Sequence, residues 1–345
     1  MAVCTLAEVA RLAGVSLSTA SRVLNGSART PGPDIAKRVR DIAESLSYIP
    51  NAHAQSLAKS TSGLIGLIVH DIADPYFSAI ARGVQDAARE RQKVVLLATT
   101  DGTPADERAA VAAFAARRAD SIVIAGSRFN RPQDSQGNTQ LAAELDRYCS
   151  NGGRVGVVGH PVIGAKSSVG YHLVPLPNEG LAAELANKLA AGHPQEFIII
   201  AGPDGQLTSD DRVRGFQRGL AAAGMPIAEV MRTAFDRNGG YNAGLDLSRR
   251  IKSRAASTPG APLCILTGND VMALGAAAAL RSEGIRIPHD ATIAGFDGTE
   301  LLRDFRPELS TVHLPLELIG RLATDGQTAD GAPAVEGEVV LAHNI

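Results

Sequence analysis

Tryptophan is absent from these 345 residues, aromatic residues make up only 4% of them, and there are just three cysteines, Cys4, Cys149 and Cys264. The cysteines are too few and too widely spaced for a disulfide framework or a zinc site, so they read as plain thiols and no metal is expected. No stretch approaches the ~18 consecutive apolar residues of a membrane span, and the opening MAVCTLAEVA lacks the basic and apolar regions of a secretory signal. A cytoplasmic protein with no membrane partner is expected. Also missing are the G-x-x-x-x-G-K-[ST] phosphate loop, the G-x-G-x-x-G fingerprint, the G-x-S-x-G nucleophile elbow and any metal-spaced His/Asp cluster. Those absences argue against an enzyme and against a cofactor.

What is present suits a soluble chain of two to three domains, 45% hydrophobic and 20% charged. Net charge is −2 overall, yet residues 1–60 hold seven Lys/Arg against four Asp/Glu. A polyanion partner therefore belongs at the N-terminus.

Thr5 to Asn25 reads TLAEVARLAGVSLSTASRVLN. Thr5 with Glu8 three residues later is a capping box, predicting a helix from Leu6. Leu6, Val9, Ala10 and Ala13 recur at the spacing of one buried face. Gly14 ends that helix, and Ser16 is an N-cap type that opens a second. In the second helix Ala20, Val23 and Leu24 face inward, with Val15 stapling against Ala20, while Leu17, Ser18, Ser21, Arg22 and Asn25 face outward. Two short helices joined by a tight glycine turn form the helix-turn-helix unit, whose second helix enters the DNA major groove. Arg22 can fork onto guanine O6 and N7, Ser18 can bond a base edge, and Leu17 can press on a thymine methyl. The hydroxyls of Thr5, Ser16, Thr19 and Ser21 suit phosphate oxygens. The bland alternative is an ordinary helical hairpin with a polar outside. A third helix follows from Pro33, with Ile35, Val39, Ile42 and Leu46 at helical spacing, closing a mini-core.

Pro50 breaks that helix, and Asn51 to Ala58 is too short to be a stable helix alone. From Gly63 the rhythm becomes short apolar runs alternating with helical segments. Leu64–Val69, Val94–Ala98, Ile122–Ala125, Val155–Val158, Phe197–Ala201, Leu263–Thr267 and Thr292–Gly295 read as buried parallel strands. Ala79–Glu90, Asp106–Arg117, Leu141–Cys149, Gly180–Ala190, Arg212–Ala223, Tyr241–Arg254 and Asp270–Ser282 read as helices. So many strands exceed one compact sheet, and Gly159 to Pro177 is rich in Gly, Pro and Ser, so two lobes are expected.

Ligands of open α/β sheets bind beyond the carboxyl ends of strands. There stand Asp74-Pro75-Tyr76-Phe77, His160, the polar loop to Arg212, Phe235, Asn269-Asp270 and Gly295-Phe296-Asp297. Aromatic faces with Asn, Asp and Arg suit a polyhydroxylated ring. Asp270 reads as a helix cap, and for the lone His160 a hydrogen-bonded structural role weighs as much as ligand contact.

The stretch from Thr5, continued through Ser47-Tyr48-Ile49-Pro50-Asn51 and Ala54-Gln55-Ser56-Leu57-Ala58, resembles the headpiece of the lactose-repressor (LacI/GalR) family of transcription regulators. Further along, Arg212-Val213-Arg214-Gly215-Phe216 resembles the family's R-x-x-G-F. Asn269-Asp270 with Ala273-Leu274-Gly275, Ile287-Pro288 and Gly295-Phe296-Asp297 is similar to its N-D…A-x-G…P…G-F-D signature. The resemblance implies a small all-α helix-turn-helix headpiece (1–50), a hinge helix and linker (51–62) and an α/β two-lobed periplasmic-binding-protein-like body of doubly wound parallel sheets (63–345). Lobe 1 is expected at about 63–160 and 291–320, and lobe 2 at about 161–290 and 321–345. The implied DNA-binding set is Thr5, Leu6, Ser16, Leu17, Ser18, Thr19, Ser21, Arg22, Asn25, Tyr48, Asn51, Ala54 and Leu57, with Leu57 wedging into the minor groove from a hinge helix that folds when two copies pair. The implied effector set is Tyr76, Phe77, His160, Arg212, Phe235, Asn269 and Asp297.

Departures also show: Gly32 stands where the family has Ser, Pro177 where it has Asp, and the C-terminus lacks its R-S ending and leucine heptads. A homodimer on a pseudo-palindromic duplex operator is expected. The function expected is a ligand-responsive regulator, a repressor, switched by a sugar or sugar phosphate in the interlobe cleft, with a nucleobase or nucleoside as the other effector class. The competing reading is a sugar-binding protein or enzyme using the same body without DNA.

Overall fold

The computed structural model describes residues 4–25, 31–49, 61–166, 169–192, 196–226, 228–257, 262–326 and 335–342. The chain divides into two compact units, Met1–Gly63 and Leu64–Ile345. Residues 50–60, with the expected helix break at Pro50, the hinge helix, Asn51, Ala54 and Leu57, lie outside the described residues.

In the first unit α1 spans Leu6–Ala13, and the Thr5 hydroxyl accepts from the Glu8 amide at 3.3 Å. Gly14 closes the helix at φ 65°, a left-handed conformation that costs glycine little. Ser16 then accepts from the Thr19 amide at 3.1 Å and opens α2, Leu17–Asn25. The third helix, α3 (Pro33–Ser45), starts at Gly32 without a side-chain cap, the consequence expected of glycine there. Val9, Ala10, Ala13, Ala20, Val23, Ala36, Val39 and Ala43 form its core. The expected buried face of α3 was set from Ile35, but that side chain is 37% exposed. Alanines 36 and 43 pack instead, on the same buried face as Val39, with Ile42 and Leu46 against it.

The second unit holds two parallel sheets. In the first, β1 (Leu64–Val69), β2 (Val94–Thr99), β3 (Ser121–Ala125), β4 (Arg154–Val158) and β5 (Tyr171–Val174) lie in the order β2-β1-β3-β4-β5. In the second, β6 (Phe197–Ala201), β7 (Glu229–Arg232), β8 (Leu263–Thr267) and β9 (Ala291–Ala294) lie in the order β7-β6-β8-β9. A separate antiparallel pair joins β10 (Thr311–His313) to β11 (Glu338–Val340). Alternate side chains serve opposite faces: Ile65, Leu67 and Val69 enter one core cluster, and Ile68 enters another. The cluster on the first of those faces also takes Phe197, Ile199 and Ala201 of β6, so one apolar core runs between the two sheets.

Helices α4 (Pro75–Glu90), α5 (Pro104–Ala116) and α6 (Ser135–Ser150) return the chain between strands of the first sheet. Helices α7 (Asn178–Ala190), α8 (Leu207–Ala222), α9 (Arg237–Ser257) and α10 (Asp270–Ser282) serve the second. A last helix, α11 (Leu316–Asp325), packs along α4 of the first sheet. The two helices touch backbone to backbone: a methyl on Gly83 would stand 1.9 Å from the Glu317 carbonyl oxygen, and one on Gly320 would stand 2.1 Å from that of Ile80.

The chain leaves the first sheet later than expected. The lobe bounds expected from the sequence put the crossings near 160, 290 and 320, whereas β5 at 171–174 pairs with β4, and β9 at 291–294 pairs with β8. The position near 320 falls inside α11. Short strands bordered by Gly and Pro carry too little apolar pattern to stand out from a linker.

Candidate functional site

Of the five α2 residues expected to face outward, Ser21 and Asn25 are half-buried. Leu17, Ser18 and Arg22 are exposed, with Leu17 at 54%. Ser16 is busy as a cap, its hydroxyl 2.9 Å from that of Ser18 and 2.8 Å from that of Thr19. The Asn25 amide donates to the Ser21 hydroxyl at 3.0 Å. Thr5 is exposed, while Leu6 and Tyr48 are half-buried against the headpiece core. Those two serve packing at least in part.

The body carries a cavity of about 560 Å³ at the carboxyl ends of its strands. Of the seven expected effector residues it collects Tyr76, Phe77, Arg212, Phe235, Asn269 and Asp297. His160 is not among its lining; its Nε2 lies 2.7 Å from the Asp211 carboxylate. His160 thus takes the hydrogen-bonded role that the sequence left open beside ligand contact.

Arg212 is the centre of the site and is 2% exposed. Its Nε donates to Asn178 Oδ1 at 3.0 Å, Nη1 to the Gly268 carbonyl at 2.6 Å and Nη2 to Asp297 Oδ1 at 2.7 Å. The guanidinium lies 3.9 Å over the Phe296 ring. Asn178, Gly268 and the adjacent Phe296 and Asp297 come from three separate stretches of chain, which Arg212 joins. Burial pushes the Asp297 carboxyl up to about 7 although the Arg212 charge pulls it the other way. Burial likewise raises the Tyr76 phenol, with the Asp297 charge adding to the effect. Asp297 sits at φ 112°, held by hydrogen bonds of its amide to Val312 and of Leu314 to its carbonyl. A non-glycine residue in that region is strained and persists because its neighbours fix it.

The helix cap expected at Asp270 belongs to Asn269, whose Oδ1 accepts from the Met272 amide at 2.9 Å. Asp270 instead ties the body together, accepting from the Thr299 amide and the Thr311 hydroxyl, each at 2.7 Å. It is wholly buried, and burial pushes its carboxyl up to about 6.

Sequence reading did not name His70, Thr100, Ser127 or Gln206, all of which line the cavity. The first three directly follow β1, β2 and β3 or stand one residue on, so a stricter use of the strand-end rule would have found them. Behind His70, Glu107 pairs with Arg128, both buried, and lies 3.5 Å from His70 Nε2. Among the described residues no group of His, Cys, Asp and Glu could hold a metal ion, and no helix is long and apolar enough to cross a membrane.

Comparison with known proteins accounts for both parts. Residues 5–51 match the bacterial regulatory proteins of the lacI family, residues 62–143 the periplasmic binding proteins and sugar binding domain of that family, and residues 186–328 a periplasmic binding protein-like domain. The HTH-type transcriptional regulator DegA of Bacillus subtilis (strain 168) is 28% identical over 98% of this chain and 95% of its own length. A lac repressor dimer bound to operator and the anti-inducer ONPF shares the fold at a TM-score of 0.77 and 24% identity, over 99% of this chain and 98% of that one. A complex of the transcriptional regulator CelR with cellobiose is similar at a TM-score of 0.64 and 25% identity, over 98% of this chain and 99% of that one.

A helix-turn-helix unit on one chain with a two-sheet small-molecule-binding body is the build of a ligand-controlled DNA-binding regulator. This chain belongs to the LacI family of bacterial regulatory proteins, and it is a transcriptional regulator rather than an enzyme.

Proposed function

We propose that the protein is a repressor that binds a pseudo-palindromic operator as a homodimer and is switched by a sugar in the body's cavity. The observation that carries this reading is the buried Arg212–Asp297 pair opening into a cavity flanked by Tyr76, Phe77 and Phe235, on the same chain as an exposed recognition helix. Aromatic faces stack on the C–H faces of a sugar ring, and carboxylate and guanidinium groups fix its hydroxyls. The cellobiose complex of a relative and the sugar-binding description of the matched domain support that ligand class. Tyr76, Phe77, Arg212, Phe235, Asn269 and Asp297 are the proposed effector contacts, and Leu17, Ser18 and Arg22 the base-reading ones. The proposed site of action is the cytoplasm, where the operator is.

Operator and effector affinities are then linked, each ligand changing the other's affinity by the same factor, typically worth about 1–3 kcal/mol. Selection of bound duplexes from a random pool, followed by titration with sugars and nucleosides, tests the reading. A selected half-site repeat whose binding shifts with a sugar supports it. Duplex binding no tighter than to random DNA sinks the regulator reading, and a response to nucleosides alone replaces the sugar.

A further inference from the structure

The lining of the cavity has a strong bias of charge. Five aspartates line it, Asp71, Asp74, Asp101, Asp236 and Asp297, against one arginine, Arg212, and one histidine, His70. Among the described residues no lysine lines it. The Arg212 charge is already met by Asp297 at 2.7 Å, and its remaining bonds go to Asn178 and Gly268.

Helix starts are where such bodies ordinarily receive an anion, because free amides and the helix dipole point there. Here the protein's own groups occupy them. Asp74 caps α4, accepting from the Tyr76 amide at 2.9 Å, and Asp236 accepts from the Gly239 amide at 2.7 Å at the start of α9. Asn269 fills the start of α10 in the same manner. A phosphate would find these donors taken and carboxylates in their place.

Other lining groups lack any partner. Thr100 Oγ1 and Gln206 Oε1 are buried without a hydrogen bond, on residues 7% and 5% exposed. Buried polar groups are normally paired, so these atoms are vacant positions for a ligand. A carboxylate and the glutamine carbonyl oxygen accept only, so they match the hydroxyl hydrogens of a ligand.

We infer that the effector is a polyhydroxylated molecule carrying no phosphate or carboxylate, donating hydroxyl hydrogens to the carboxylates and to Gln206, with Thr100 as a second contact. This rests on the sugar reading proposed above and narrows it. Sugar phosphates, which fit the family resemblance equally well, are disfavoured by the aspartates of the lining.

The test is isothermal titration of the full chain with D-glucose, D-ribose and cellobiose beside glucose 6-phosphate and ribose 5-phosphate, repeated with Thr100→Val, Gln206→Leu and the double variant D71N/D101N. The expected result is that an unphosphorylated sugar binds at least tenfold tighter than its ester, that Gln206→Leu or Thr100→Val weakens it at least tenfold, and that D71N/D101N narrows the gap. Retained duplex binding by each variant shows that it is folded. An ester binding as tightly as its parent sugar overturns the inference while leaving the sugar reading in place, as does an unchanged affinity in both Thr100→Val and Gln206→Leu. Silence to every sugar and ester overturns the sugar reading and this inference with it.

Discussion

Arg212 and Asp297 stand 85 residues apart in the chain and 2.7 Å apart in the structure, both almost fully buried. The contact joins α8 to the segment that follows β9. One pair thus serves as a tie within the body and as the wall of its cavity.

Removing Asp297 leaves a guanidinium buried without its counter-charge. Breaking a buried pair in this manner costs about 3–5 kcal/mol. Asp297→Ala is therefore expected to unfold at markedly lower urea than the native chain, with sugar binding lost as well. Arg212→Lys is expected to fail as a substitute, since an ammonium cannot reach Asn178, Gly268 and Asp297 together. A Lys variant with native urea midpoint and native affinity would refute this.

A second buried pair, Glu107 with Arg128, lies behind His70. Its position matters because the Arg128 carbonyl accepts from the Leu207 amide at 2.9 Å, and the Asn130 amide donates to Gly205 at 2.8 Å. The segment after β3 is thereby held to the start of α8, one on each side of the cavity. Glu107→Ala is expected to destabilise by about 3–5 kcal/mol, and adding Arg128→Met is expected to restore part of it, since the orphaned charge goes. Additive losses in a double-mutant cycle would contradict the pairing.

Burial raises the carboxyl of Asp270 from 3.8 to about 6, against the pull of its bonds from Thr299 and Thr311. Between about pH 4 and pH 6 the folded protein holds a proton that the unfolded chain has released. This contribution to stability is complete at low pH and is lost as pH rises through that window, at up to about 1.4 kcal/mol per pH unit, or roughly 3 kcal/mol in all. Urea midpoints measured from pH 4 to 8 are expected to show the decline, superposed on other titrations, and Asp270→Asn to flatten it. Parallel curves for the two proteins would assign the decline to other groups.

The sequence was most legible where one local rule decides the outcome. Asp270–Ser282 was placed at both ends because a polar cap precedes an unbroken run of helix formers. Thr5, Gly14 and Ser16 framed the headpiece for the same reason, and Asp297 emerged from its place after a strand. Less legible were β5, β7 and β10, three or four residues each. Such strands are defined by their neighbours' hydrogen bonds and not by their own pattern. Thr100 and Gln206 were invisible for a related reason: a lone polar residue gains meaning only when the fold buries it without a partner. His160 shows the converse, since its fate depended on Asp211 lying 51 residues away.

Gly83 and Gly320 face each other's helices at distances no side chain tolerates. Gly83→Ala would drive a methyl into the Glu317 carbonyl, so α4 and α11 must separate. Overpacking of this kind costs about 1–3 kcal/mol. A lowered melting temperature with an unaltered recognition helix is expected, and a melting temperature equal to that of the native chain would show that the helices shift freely.

The recognition helix makes a prediction that separates base reading from mere attraction to DNA. Arg22 is exposed at the end of α2, and its fork can take both acceptors of a guanine edge. Lys37 and Arg38 are also exposed, but they lie on α3. Arg22→Ala should weaken binding to a selected operator by about 1–3 kcal/mol and relax preference at one base pair of each half-site, with sugar affinity unchanged. A purely electrostatic contact would behave otherwise: loss of Arg22 would weaken all duplexes alike and lower the salt slope by about one unit. Fluorescence anisotropy on the operator and on single-base variants, at two salt concentrations, distinguishes them. Uniform weakening across all variants would remove Arg22 from base recognition and leave Ser18 and Leu17 to carry it.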